Sequence, residues 1–171
     1  KLNERVEDLD FNPDDFVARV NSDLVGKYVN IASRAAGFVD KHFGGALAYS
    51  PKVAGELAHA ARDATKLAAD AYAARRFGQV VRDAMAIADR INEAFDQARP
   101  WTLAKDPAQQ ERLGTVMYTL LEAVRLIGLL ITPFMPDTGA KIAVILGQAA
   151  TGSTAWGGLQ AGTAVAKAEE K

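Results

Sequence analysis

The polar residues that could do chemistry in this sequence are few, and one pair of them lies on a single predicted helix face. Asn30 and Arg34 are separated by one helical turn, so their side chains would project together. The asparagine amide donates and accepts hydrogen bonds, and the arginine guanidinium presents a planar fork of donors. Such a pair can bind the edge of an unstacked nucleic-acid base, although most polar pairs of this kind are ordinary solvated helix surface.

A second candidate is the Pro100-Trp101 dipeptide, which follows the predicted end of a helix. Tryptophan at a helix junction is usually packed into the core because of its large apolar ring. On a corner stiffened by proline, an exposed indole can instead serve as a stacking surface for a single-stranded base. The sequence alone leaves both interpretations open for Trp101.

Catalytic and metal-binding patterns are weak. Glu56-x-x-His59 has the spacing of one half of a di-iron site, but the second pair that such a site needs is missing, which favours a solvated helix face. The absence of cysteine excludes disulfides and thiolate metal ligands. Gly157-Gly158 lacks the strand and helix that flank a phosphate-binding loop. We therefore expect no catalytic residue, no metal and no cofactor in this chain.

The composition limits the classes of partner. The chain has 171 residues, 49% of them hydrophobic, and a formal net charge of −1, which suits one globular domain without a broad basic face. Any RNA contact should therefore be local, and DNA is not expected. No uninterrupted apolar stretch approaches the ~20 residues of a membrane span, and residues 1–10 lack the apolar core of a signal peptide. These features predict a cytoplasmic protein without a membrane partner.

The spacing of apolar residues and the caps predict an all-α fold, an antiparallel helix bundle of four to five helices. The predicted helices run from Asn12-Pro13 to Gly44-Gly45, from Ser50-Pro51 to about Arg75, from Phe77 to just before Pro100, from Asp106-Pro107 to Pro133, and over about residues 137–146. Their predicted inward faces include Val17 in the first helix, Phe77, Val81 and Phe95 in the third, and Val116 in the fourth.

The predicted domain organisation has three parts. Residues 1–11 form a lead-in linker, residues 12–147 form the helical domain, and residues 148–171 form a tail that is partly packed and partly flexible. Trp156 is the residue expected to hold part of this tail against the bundle. The chain does not begin with methionine, and we expect it to be a piece of a longer polypeptide.

Beyond these local features, the sequence resembles the anticodon-binding domain of the methionyl-tRNA synthetase family over nearly its whole length. The matching stretches are residues 16–38 with 41–45, residues 76–89, residues 97–105 and residues 131–136, in the order of the family. The Asn-Lys-Leu-Trp run typical of the leucine, isoleucine and valine enzymes is absent. The equivalent domain of another class I synthetase and a helical protein-interaction scaffold are the alternatives.

The resemblance implies that the domain binds the CAU anticodon of methionine tRNA. Trp101 would stack on the first anticodon base, Asn30 and Arg34 would contact the bases or their backbone, and Pro100 would support the corner. Lys27 and Lys41 are expected as auxiliary RNA contacts. Gly26 departs from the family pattern, because some relatives carry a polar residue there, often asparagine.

The resemblance also implies a parent enzyme that ligates methionine to tRNA with ATP. Its catalytic domain would be a partner within the same polypeptide. The His-x-Gly-His-like and Lys-Met-Ser-Lys-Ser-like motifs of that domain are absent from these residues. This chain is therefore expected to select tRNA without performing chemistry, and ATP would be a cofactor of the parent enzyme only.

Overall fold

The computed structural model describes residues 10–48, 55–149 and 151–166, and it confirms the predicted all-α helix bundle. The elements are α1 (Pro13–Arg19), a π-helical segment (Val20–Val29), α2 (Asn30–Phe43), α3 (Gly55–Ala73), α4 (Phe77–Ala98), α5 (Pro100–Leu103), a 3₁₀ turn (Pro107–Gln109), α6 (Gln110–Ile131) and α7 (Pro136–Ile145). Within the described ranges, extended pairing is limited to an isolated bridge between Ala46 and Ala164.

The first helix consists of α1, the π-helical segment and α2 in succession, and both of its predicted ends are confirmed. The Asn12 side chain accepts hydrogen bonds from the amides of Asp14 and Asp15, at 2.9 and 3.2 Å. At the other end, Gly44 adopts a left-handed conformation with φ of 63°, which glycine tolerates because it has no Cβ.

The π-helical middle of this helix was not predicted, and it alters which residues face the core. A π-helical turn contains more residues than an α-helical turn, so the phase of α1 is rotated relative to that of α2. Val17, which the spacing placed on the buried face, is 54% exposed, and α1 buries no side chain. The inward prediction for Val17 is therefore wrong, whereas Tyr28 and the apolar residues of α2 are buried.

Helix α6 is the centre of the core, and residues on all of its sides are buried. The segment Pro107–Ile131 is long and apolar enough to span a membrane by length and composition, because its most apolar window of 18 residues has a mean hydropathy of 1.6. Glu122 and Arg125 interrupt its apolar residues, so no long uninterrupted apolar stretch reveals this property in the sequence. However, 78% of the apolar window is buried inside the bundle, which is what the core helix of a globular domain requires.

Two tyrosine hydroxyls attach neighbouring helices to α6. Tyr28 donates to the carbonyl oxygen of Val124 at 3.1 Å, and Tyr72 donates to that of Leu130 at 2.5 Å. Burial raises the pKa of both hydroxyls, so they stay protonated and available as donors. Gly128 permits the first contact, because a Cβ there would lie 3.0 Å from the Tyr28 hydroxyl oxygen.

Some residues of the predicted inward faces are more exposed to solvent than their spacing predicts. Phe77 is 44% exposed, while Val81 and Val116 are half-buried. Phe77 is the first residue of α4 and lies at the end of the bundle, where its ring contacts those of Tyr72 and Phe134. The inward prediction for Phe77 is therefore wrong, because periodicity does not show where the neighbouring helices end.

A buried ion pair on α6 is the main feature of the core that the sequence did not reveal. Glu122 is 0% and Arg125 is 7% exposed. The Arg125 guanidinium donates to the Glu122 carboxylate at 2.6 to 3.1 Å. A charged pair can be buried in this way only if its remaining donors and acceptors also find partners.

Those partners come from the C-terminal tail. The Glu122 carboxylate accepts the amide hydrogens of Gly157, Gly158 and Leu159 at 2.9 to 3.0 Å. Arg125 also donates to the carbonyl oxygens of Ser153 and Ala155, both at 2.7 Å. The ion pair therefore fixes the tail to α6 through five backbone groups.

The tail is held at further points. A Cβ at Gly158 would collide with the Arg125 guanidinium, so only glycine allows this close approach. Leu159 and Val165 are buried in the core, and the Val165 amide donates to the carbonyl oxygen of Gly45 at 2.7 Å. Trp156, which was expected to hold the tail, packs against the core as well.

Replacement of Glu122 by glutamine should destabilise the domain by about 3 kcal/mol, because it leaves the buried Arg125 charge uncompensated. Urea unfolding measures this change. Asp63→Asn is the matched control, because Asp63 forms an ion pair with Lys66 at the same i,i+3 spacing but on the surface. An equally small effect of both substitutions would contradict a structural role for the buried pair.

Candidate nucleic-acid interface

Three helices bring Arg34, Phe95 and Trp101 together at one end of α4. The Phe95 ring is 1% exposed. The guanidinium carbon of Arg34, on α2, lies 4.3 Å from its centroid. The Trp101 ring, on α5, lies 6.1 Å from the same centroid and is tilted by 52°. The two candidates that the sequence predicts, Arg34 and Trp101, are thus joined through a ring that the apolar spacing of α4 predicts only as part of the core.

Phe38 extends this arrangement along α2. Its ring meets Phe95 edge-on at 5.7 Å, a favoured geometry for aromatic pairs. His42, one turn further, stacks on Phe38 at 5.6 Å. We call Arg34, Phe38, Phe95 and Trp101 the Phe95 cluster.

The corner that carries Trp101 is built by the backbone on either side of it. Arg99 ends α4 in a left-handed conformation, with φ of 47° and ψ of 59°. Pro100 occupies the first position of α5, where its missing amide hydrogen costs no helical hydrogen bond, and it is buried. Trp101 is 44% exposed, so its indole contacts Phe95 and also presents surface to solvent.

Arg34 is held from two sides. The Phe95 ring lies beneath its guanidinium, and the Asp96 carboxylate lies 3.7 Å from Nη2. The side chains of Arg34 and Asp96 are 39% and 67% exposed, so this ion pair alone contributes little. The ring contact gives the guanidinium a defined orientation at the surface.

Asn30 is the first residue of α2 and is exposed one turn before Arg34. Its side chain has no hydrogen-bond partner among the residues that the structure describes. The amide therefore keeps both its donors and its acceptor available to a ligand.

The two auxiliary candidates differ in their surroundings. The Lys27 ammonium lies 2.9 Å from Asp89 and 3.6 Å from Asp23. The hydrogen bond with Asp89 raises the pKa of Lys27, and the two carboxylates compensate its charge. Lys41 is exposed, and in the part of the chain that the structure describes it has no ion pair. Lys41 is therefore the more available of the two cations.

Gly26 lies in the π-helical segment, where the backbone leaves little room for a side chain. A Cβ at this position would lie 3.1 Å from the carbonyl oxygen of Asn21. That distance is short enough that the neighbouring backbone would have to move. The local backbone therefore fits the glycine of this sequence at position 26, where some relatives carry asparagine.

Glu56 and His59 are exposed and line a shallow groove between α3 and α4. The described residues hold no group of three or more histidine, cysteine, aspartate or glutamate side chains placed to bind a metal ion. The structure therefore gives these two residues the surroundings of a solvated helix face.

Comparison with known proteins places the chain among the class I aminoacyl-tRNA synthetases. A family described as "tRNA synthetases class I (M)" matches residues 1–36. The Methionine--tRNA ligase of Methylibium petroleiphilum is 51% identical over 143 residues, which are 83% of this chain and 20% of that protein. That of a Polaromonas species is 46% identical over 142 residues, which are 83% of this chain and 21% of that protein.

The fold agrees with these relatives. Mycobacterium tuberculosis methionyl-tRNA synthetase bound by methionyl-adenylate superposes with a TM-score of 0.81 at 26% identity, over 92% of this chain and 33% of the other. The apo form of the same enzyme gives the same values. The chain belongs to the methionyl-tRNA synthetase family, and it spans about a fifth of the length of the curated relatives it matches.

Phe95→Leu should loosen Trp101 while largely preserving the core. Leucine fills much of the space of the ring, so we expect a loss of about 1 kcal/mol in unfolding free energy. The fluorescence anisotropy of Trp101, measured in a Trp156→Phe background, should fall. Phe134→Leu is the control, because Phe134 belongs to the separate ring group with Tyr72 and Phe77. Unchanged anisotropy in Phe95→Leu would show that Phe95 does not position the indole.

Proposed function

We propose that this chain is the anticodon-binding domain of a methionyl-tRNA synthetase and that the Phe95 cluster is where it binds the CAU anticodon of methionine tRNA. The observation that carries the proposal is the shared contact of Arg34 and Trp101 with the buried Phe95 ring. An exposed indole and an exposed guanidinium thus share one buried ring. A single-stranded base needs both, one for its face and one for its edge.

In the proposed complex, the first anticodon base stacks on the exposed face of Trp101. Such stacking contributes ~1–3 kcal/mol per base and does not distinguish one base from another. Selection of cytosine must therefore come from polar groups that meet the base edge. Arg34 and Asn30 supply donors and an acceptor for this purpose. Backbone groups near Pro100 are a further candidate for contacting the base edge, because they are adjacent in sequence to Trp101.

The local charges favour a weak and specific contact over general attraction to RNA. The chain carries a net charge of −1, and Asp89 and Asp96 compensate Lys27 and Arg34. Few phosphates could be neutralised by such a surface, so affinity of the isolated domain for RNA should be low. Lys41 is the auxiliary contact with an uncompensated charge.

The proposal gives this chain one part of a larger reaction. The parent enzyme would ligate methionine to tRNA with ATP in the cytoplasm. Methionine and ATP would bind in a catalytic domain elsewhere in the polypeptide, and no residue of this chain would take part in the chemistry. The names of the relatives, methionine--tRNA ligases, support this assignment.

In the full-length synthetase, Trp101→Ala should lower kcat/KM for charging methionine tRNA by about tenfold or more, because the stacked base is lost. ATP-dependent activation of methionine should be unchanged. Both rates can be measured on the same preparation.

Phe77→Ala is the matched control, because Phe77 is as exposed as Trp101, at 44%, but lies at the opposite end of α4. It should leave both rates unchanged. If Trp101→Ala lowered methionine activation as much as charging, the residue would be structural and the proposed site would be wrong.

A further inference from the structure

Arg99 has a backbone conformation that arginine rarely adopts. Among the described residues, only Arg75 and Arg99 have a positive φ without being glycine, at 58° and 47°. Left-handed backbone at a residue with a Cβ is strained, and such strain is concentrated at functional sites. Of these two residues, Arg99 is the one that directly precedes the Pro100-Trp101 corner.

The same residue ends one helix and begins the next. The Arg99 amide donates to the carbonyl oxygen of Phe95 at 3.2 Å, and its own carbonyl oxygen accepts the amide hydrogen of Thr102 at 2.8 Å. The left-handed turn thus lies between Phe95 and Trp101 in the chain. Beyond the turn, the indole of Trp101 contacts the Phe95 ring of the preceding helix.

The charge of Arg99 is uncompensated, unlike that of its neighbours in the site. Arg34 and Lys27 lie beside Asp96 and Asp89. Arg99 is exposed and has no ion pair within the described ranges. It is also the cation next in sequence to the Pro100-Trp101 corner. An exposed guanidinium without an ion pair can donate two parallel hydrogen bonds to a phosphate.

We propose that Arg99 binds a backbone phosphate of the nucleotide stacked on Trp101. The inference rests on the proposed anticodon function and extends it by naming the residue that contacts the RNA backbone. In this arrangement the left-handed turn supports both the stacking of the base and the binding of the phosphate. It places the indole against Phe95 and leaves the Arg99 side chain in solvent beside the Pro100-Trp101 corner. Arg99 binds any nucleotide at this place, and the base edge is recognised elsewhere.

The test must separate the charge of Arg99 from the conformation of its backbone. Asparagine adopts the left-handed region more readily than arginine and carries no charge, so Arg99→Asn keeps the turn and removes the contact. Arg99→Lys restores the charge. Arg75→Asn is the matched control, because Arg75 is also an exposed left-handed arginine but lies in the turn between α3 and α4, away from Trp101 in the sequence. All three are made in the full-length synthetase.

The measurement is the dissociation constant of a CAU anticodon stem-loop over a range of salt concentrations. Arg99→Asn should weaken binding about tenfold at low salt and reduce the slope of log K against log salt by about 0.7, the value for one phosphate of a single strand. Arg99→Lys should recover the slope, and Arg75→Asn should change neither quantity. All variants should keep the wild-type Tm, which reports an intact turn.

An unchanged slope in Arg99→Asn, with Trp101→Ala still weakening binding, would overturn the role of Arg99 and leave the proposed function standing. Equal losses in Arg99→Asn and Arg75→Asn would show a general effect of net charge and would also overturn it. If the wild-type enzyme bound a stem-loop with an altered anticodon as well as CAU, the proposed function itself would fail.

Discussion

Helix α6 has buried residues on all of its sides, and the arrangement of the other elements around it follows from this constraint. The first helix reaches α6 through the Tyr28 hydroxyl, α3 through the Tyr72 hydroxyl, and the tail through Glu122 and Arg125. Each of these contacts satisfies a polar group while covering apolar surface. Because hydrogen bonds are directional, they also fix the position of each element relative to α6.

The candidate site depends on this framework without lying on α6. Tyr28 fixes the first helix two residues before Asn30, and α4 packs so that Phe95 is buried. Arg34 and Trp101 then contact the same ring from different helices. A ring that is already immobile in the core lets two exposed side chains hold defined orientations, which reduces the entropy that ligand binding must overcome.

Local signals in the sequence predicted the helix boundaries at Asn12, Gly44 and Pro100, since these residues act on the backbone beside them. The predicted helix start at Ser50-Pro51 lies outside the described residues. Tertiary features were not predictable in this way. The π-helical segment rotated Val17 out of the predicted face, and the partners of Glu122 lie about 35 residues away in the tail. Periodicity placed Phe95 in the core but could not show that two exposed side chains share its ring. The roles of Asn30 and Arg34 stay predictions.

The central claim is that the exposed indole of Trp101 receives the first anticodon base. The chain has two tryptophans, so in a Trp156→Phe variant the emission comes from Trp101 alone. Titration with a CAU stem-loop should quench this emission, and a stem-loop altered at the first anticodon base should require a higher concentration for the same quenching. No quenching by either RNA, or equal quenching by both, would contradict the account.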